Sequence, residues 1–169
     1  MFLDECSVSC GMVRLYGRAL KHERVRAYVP DARFERTSLI SAIRLDGGQA
    51  PMMFKGALDG KAFAAYAEKV LAPMLKEGDI VVMDNLSSHK VAGALAPIYR
   101  KGASAMFLPP YSPDYNPIEL AWSKVKAVLR RLGGNTYGEL VIGVKTAMDE
   151  ITPSDISGWF KHCGYNVNT

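Results

Sequence analysis

Apolar and polar residues alternate with a period of two in the first third of the chain and recur at helical spacing after it. Residues 1–9 read as a strand, Gly11 as a turn, and residues 12–16 as a returning second strand. Val25, Ala27 and Val29 alternate with Arg24, Arg26 and Tyr28, the pattern of a half-buried strand. Residues 38–45 form another apolar strand, closed by Asp46-Gly47-Gly48, with residues 51–55 as its hairpin partner. The first third therefore predicts a β-meander. Beyond it, Phe63, Tyr66, Ala67, Val70, Leu71 and Met74 repeat as on one helix face, and Gly78-Asp79 separates them from an apolar strand at residues 80–83. A short helix is expected over 89–101, with Pro97 as a kink or break, then a strand at 103–108. Helices follow at 117–132, ending at Gly133-Gly134, at 137–151 behind Thr136 as cap, and at 153–161. Strands first, then alternating helix and strand, describe one mixed α/β domain around a single sheet. No repeat, low-complexity stretch or internal linker interrupts it.

The run from Pro109 to Glu119, PPYSPDYNPIE, stands apart from this pattern. Each proline fixes its own φ and keeps the preceding residue out of the helical region, so the run is a stiff, extended arm. It ends at Asn116, a good cap, with Pro117 at the first helical position. Glu119 then falls in the first turn of the helix. A second carboxylate, Asp84, follows the apolar strand Ile80-Val81-Val82-Met83, and a third, Asp4, follows Met1-Phe2-Leu3. Two of them also have a plain structural explanation. Asp84-Asn85 fits an Asx turn, and Asn116 with Glu119 has the spacing of a capping box. Read together, three carboxylates at strand ends and a helix start suit a hard cation with oxygen ligands. Two such ions can activate a water or hydroxyl and stabilise the leaving oxygen of a phosphodiester without a histidine base.

Composition narrows the reading. A chain of 169 residues suits one domain with a full core. At 49% hydrophobic and 22% charged it matches folded rather than disordered proteins. No apolar run reaches the length of a membrane span, and the first residues lack the charged and apolar regions of a signal peptide. The three cysteines, Cys6, Cys10 and Cys163, have no CxxC spacing, which argues for a reducing compartment and against zinc. A net charge of +4 and a pI of about 9.0 lean toward a polyanionic partner.

The stretches Phe2-Leu3-Asp4-Glu5, Val81-Val82-Met83-Asp84-Asn85-Leu86 with His89-Lys90, and Leu108 to Glu119 resemble the catalytic domain of a DDE transposase. The likeness is to the mariner-type superfamily, most closely its bacterial insertion-sequence branch. Trp122 and Lys126 continue the match, and 34 residues lie between Asp84 and Glu119, the spacing of that family. The resemblance spans nearly the whole chain. It implies an RNase H-like fold, a central mixed five-stranded sheet flanked by helices. Asp4 would lie on the first strand, Asp84 on the fourth and Glu119 on a later helix. It implies these three as catalytic and metal-binding residues, two Mg²⁺ or Mn²⁺ ions, cleavage at transposon ends and joining of the freed 3′-OH to target DNA. It further implies DNA as partner, a homodimer that pairs two ends, and action in a bacterial cytoplasm.

Two departures shape these expectations. The family's N-terminal helix-turn-helix region is absent from residues 1–169, which read as a single catalytic domain. End recognition would then belong to a longer polypeptide or a separately encoded N-terminal half. The family's Trp-containing stretch after the first hairpin is replaced by Leu15-Tyr16-Gly17-Arg18-Ala19-Leu20.

DNA contact is the functional reading for Asn85, His89, Lys124, Lys126 and Arg130. Asn85 fits a turn residue equally well, and His89 a cap or surface histidine. Lys126 and Arg130 share the Glu119 side of their helix, where a solvated basic face is the alternative to phosphate contact. Arg14, Arg18, Lys21, Arg24, Arg26, Arg33 and Arg36 make a second basic region, diluted by Glu23, Asp31 and Glu35 and better read as hairpin surface. Tyr111 and Tyr115 suit packing of the proline arm more than base stacking. Two other functions stay open: a non-catalytic remnant that binds DNA or dimerises, and another RNase H-like nuclease such as a hybrid hydrolase.

Overall fold

The computed structural model describes residues 1–26, 35–110 and 112–167. Five strands form one sheet in the order β3-β2-β1-β4-β5. They are β1 Phe2–Val8, β2 Thr37–Ile43, β3 Met52–Lys55, β4 Ile80–Met83 and β5 Ser104–Phe107. The meander β1-β2-β3 is antiparallel, and β4 and β5 add in parallel on the other side of β1. The helices are α1 Gly60–Tyr66, α2 Ala96–Arg100, α3 Pro117–Leu132, α4 Tyr137–Asp149 and α5 Pro153–His162. This is the mixed five-stranded, helix-flanked arrangement that the resemblance implied.

Alternation along β1 decides which residue faces which layer. Phe2, Cys6 and Val8 join Leu39 and Ile43 in packing against Ile118, Trp122, Val125 and Leu129 of α3 and residues of α4 and α5. Leu3 points the other way, into a second core with Ile40, Val81 and Met83 under Phe63, Tyr66, Leu71 and Ile98. Asp4 therefore lies on the α3 side and Glu5 on the α1 side. Arg44, from just past β2, grips Asp79, just before β4, with Nη1 to Oδ2 at 2.7 Å. That pair ties the meander to the parallel half of the sheet.

Helix ends follow from their capping residues. The Thr136 hydroxyl accepts from the Glu139 N–H at 3.2 Å, and the Glu139 carboxylate accepts from the Thr136 N–H at 3.0 Å, a full capping box. Thr152 and Asp155 repeat it on α5. Gly133 closes α3 in the left-handed region at φ 70°, where a Cβ would be strained.

Three expectations differ from the fold. Residues 12–16 form no strand; Leu15 and Tyr16 are exposed. Both edges of β1 are already taken by β2 and β4, so a returning strand has no place beside it. The helix expected from Phe63 to Met74 starts earlier, at Gly60 behind the Asp59 cap, and changes pitch. After α1 it passes through a π turn, Ala67–Leu71, and a 3₁₀ turn, Ala72–Met74, where Pro73 lacks the N–H that an α-helix needs. Over 89–101, Pro97 opens the short α2 rather than kinking a longer helix, and Ser87–Lys90 is a separate 3₁₀ turn. The strand expected around Val25, Ala27 and Val29 falls largely on residues 27–34, outside the described residues, as does Tyr111; residues 24–26 form no strand.

Thr136→Ala removes one half of a complete capping box. It is expected to lower stability by about 1 kcal/mol, read as a reduced urea midpoint with an unchanged slope. An unchanged midpoint would show that the box contributes nothing.

Candidate active site

The parallel pairing of β1 and β4 builds the site. Phe2 pairs with Val82, and continuing that register carries Asp4 level with Asp84, just beyond the end of β4. Ligands collect outside the carboxyl ends of strands in such sheets. The proline arm then leads from β5 to α3 and delivers Glu119 in the first helical turn. Asp4, Asp84 and Glu119 line one cleft of about 470 Å³, with Leu108, Pro109, Pro110, Pro113 and Asn116 as part of its wall.

Each carboxylate has a different environment. Asp4 is buried, 7% exposed, beneath α3, and the Trp122 indole N–H donates to its Oδ2 at 3.1 Å. Burial, helped by the nearby Glu119 and Glu5 charges, raises its pKa from 3.8 to about 7. Asp84 is half-buried. Burial pushes its pKa up, but hydrogen bonds from His89 and the Leu86 N–H outweigh burial and leave it below the ordinary carboxylate range. Its Oδ1 accepts from the Leu86 N–H at 3.1 Å, so the expected Asx turn does form, and lies 3.0 Å from His89 Nδ1. Glu119 is exposed at the cleft edge. No side-chain cap bond links it to Asn116, so the capping box that would have explained it is absent.

The site fits a hard divalent cation by its chemistry. Its charged groups facing the cleft are carboxylates, and Asp4 and Glu119 repel one another across it. Asn116 also lines the cleft, buried, with an Oδ1 that has no hydrogen-bond partner among the described residues. Oxygen donors that repel one another, beside an unsatisfied amide oxygen, are what Mg²⁺ or Mn²⁺ prefers. Among the described residues, no three His, Cys, Asp or Glu side chains already converge on one point. The carboxylates share the cleft without being drawn together.

The residues read as DNA contacts sort differently. Asn85 commits its amide, donating from Nδ2 to the Leu108 carbonyl at 2.6 Å, which ties the Asp84 loop to the proline arm. His89 is fully buried; enclosure by α1 and β1 removes it from any surface contact, so its role as a phosphate ligand is corrected. Lys124 is turned to Asp155 on α5, Nζ to Oδ2 at 2.6 Å, and braces two helices. Lys126 and Arg130 are half-buried on the α3 side below Glu119, and neither has an ion-pair partner among the described residues. Asn116 lines the cleft, Trp122 bonds Asp4 and Glu5 faces His89, contacts that the sequence reading, which had them as a cap and as parts of the family match, did not foresee. An acidic residue directly after Asp4 and a Trp one turn after Glu119 were the available signals.

The fold is RNase H-like, and three carboxylates line the cleft at the end of its sheet. The model of the DDE superfamily endonuclease family matches residues 1–136, and the chain belongs to that family. Its fold is that of the catalytic domain of the Mos1 mariner transposase. The Mos1 paired-end complex with Mn matches at a TM-score of 0.73 and 12% identity, covering 95% of this chain and 51% of that one. The Mos1 paired-end complex with Mg matches at 0.71 and 12%, covering 96% and 53%. The Mos1 catalytic domain matches at 0.61 and 10%, covering 95% and 75%. This chain thus spans about half the length of the Mos1 chains in those complexes. No curated protein matches it. Among the described residues, no helix is long and apolar enough to cross a membrane.

The raised Asp4 pKa has a sign that can be tested without metal. A carboxyl raised from 3.8 to about 7 binds more protons folded than unfolded, so stability falls as pH rises between those values. Asp4→Asn keeps an oxygen for Trp122 and removes the charge. It is expected to flatten this fall and to be more stable than wild type at pH 8 by about 2–4 kcal/mol. Equal urea midpoints for the two proteins at pH 8 would contradict the burial account.

Proposed function

We propose that this chain is the catalytic domain of a DNA transposase, which cleaves transposon ends in a metal-dependent reaction and transfers the freed 3′-OH into target DNA. The carrying observation is that Asp4, Asp84 and Glu119, from two adjacent parallel strands and a helix start, line one cleft. Two other observations support the reading: the family is one of endonucleases, and Mos1, which shares the fold, is solved with a left transposon end and with Mn and Mg.

Asp4, Asp84 and Glu119 would hold Mg²⁺ or Mn²⁺, as two ions. Bound there, the ions supply Lewis acidity toward a phosphodiester and a lowered pKa for the attacking water or hydroxyl. The chain's own part is positioning and charge. Trp122 holds Asp4 in one orientation under α3. The His89 side holds Asp84, and the low pKa of Asp84 keeps it ionised at neutral pH. The proline wall keeps the α3 start at a fixed distance from β4, since its φ angles cannot relax. Lys126 and Arg130 continue the Glu119 side of α3 and contact backbone phosphates. Two copies would pair two ends.

With Mn²⁺ and supercoiled plasmid as substrate, Asp84→Ala and Glu119→Ala are each expected to abolish nicking while circular dichroism stays native. Wild-type nicking by either variant would contradict the proposal. Lys126→Ala combined with Arg130→Ala is expected to weaken plasmid binding and to lower the slope of log affinity against log salt by roughly 2. An unchanged slope would remove both residues from the DNA surface.

A further inference from the structure

His89 is the only histidine among the buried residues, and nothing in the reaction uses it directly. Its ring sits between two carboxylates. Nδ1 lies 3.0 Å from Asp84 Oδ1, and Nε2 lies 3.7 Å from Glu5 Oε2. Both Nε2 and Glu5 Oε2 are buried and otherwise without a hydrogen-bond partner among the described residues. Two orphaned polar atoms that face each other are each other's natural partner, because a lone buried polar atom costs free energy.

The three residues come from separate elements. Glu5 projects from β1 on the sheet face opposite Asp4. Asp84 follows β4. His89 lies in the 3₁₀ turn Ser87–Lys90, anchored by its own N–H to the Leu86 carbonyl at 3.2 Å. Phe63 of α1 packs on the imidazole at 4.5 Å between centroids, tilted 47°. The ring is fully enclosed. Glu5 lies behind the sheet while Asp4, one residue earlier, faces the cleft. Adjacent residues of one strand thus reach the cleft from its two sides: Asp4 as a lining group and Glu5 through the imidazole.

We propose that Glu5 and His89 are positioning residues that fix the Asp84 carboxylate from behind, a carboxylate–imidazole–carboxylate relay across the sheet. The inference rests on Asp84 being the metal-holding carboxylate of the proposed function. With Oδ1 held by His89 and the Leu86 N–H, the rest of the carboxylate is presented to the cleft in one orientation. Outer partners of this kind typically change metal affinity 10–100-fold.

Two measurements test it. In the metal-free protein with ¹⁵N-labelled histidine, only His22, His89 and His162 contribute signals. Glu5→Gln and Asp84→Asn are each expected to move the His89 ring nitrogens and leave the other two in place. Unmoved His89 signals in Glu5→Gln would overturn the relay. Calorimetric Mn²⁺ titration provides the second arm. His89→Leu keeps bulk against Phe63 and removes both nitrogens, and should weaken binding at least about 10-fold. His89→Asn restores an N–H donor near Nδ1 and should recover most of that loss. Equal Mn²⁺ affinity in wild type and His89→Leu would also overturn the proposal. Absence of Mn²⁺ binding in wild type would instead sink the proposed function, and the nitrogen signals would still decide whether the relay exists.

Discussion

Asp4 sits under α3 with one indole hydrogen bond and little water, and the rest of the site is arranged around that burial. Its pKa of about 7 means that ionising the folded protein costs roughly 4 kcal/mol more than ionising a free aspartate. Domains are stable by only about 5–15 kcal/mol in total, so this is a large internal cost to carry. It persists because β1 is the central strand, gripped on both sides by β2 and β4, with Phe2, Cys6 and Val8 on the same face committed to the α3 core. Asp4 cannot turn away without taking β1 out of register, and a one-residue slip would exchange its core face for the other. A cation in the cleft would offset the repulsion from Glu119 and Glu5 and recover that cost.

The other two carboxylates are held more loosely and by different means. Asp84 lies outside the strand, in a turn that its own side chain closes, and its charge is favoured by an imidazole and a backbone N–H. Glu119 has only the stiffness of the proline arm behind it, with Asn116 and Pro117 starting the helix at a fixed place. One buried, one braced and one exposed carboxylate make a cleft whose groups are fixed to different degrees. That agrees with the carboxylates sharing a cleft without yet meeting at one point.

Much of this was legible in the sequence, for physical reasons. The parallel half of the sheet and α3 to α5 show clear apolar periodicity and strong stop signals, so β4, β5, α3, α4 and α5 were placed within a few residues. Asp84 and Glu119 stand next to those signals and could be found by them. The region after β1 was misread, because a turn at Gly11 followed by a mostly apolar stretch at residues 12–16 says nothing about whether a strand edge is free to pair. Pro97, read as a kink or break, opens α2 instead, because a proline that opens a helix and one that interrupts it look alike without the neighbouring turns. His89 was read as a DNA contact, a cap or a surface histidine, since nothing local to a position six residues past the end of β4 signals burial. Only the packing of Phe63 and the reach of Glu5 from the next strand bury it. Trp122 packs in the core; that its N–H meets Asp4 depends on the α3–β1 crossing, which local pattern does not encode.

A calorimetric titration tests most directly whether one cleft of carboxylates acts together on divalent cations. Mn²⁺ is added at neutral pH to the wild-type chain and to Asp84→Ala, with circular dichroism recorded on both. Saturable binding by wild type, lost in the variant with native dichroism retained, is the predicted result. Equal binding by the two proteins would place the cation elsewhere and contradict the account.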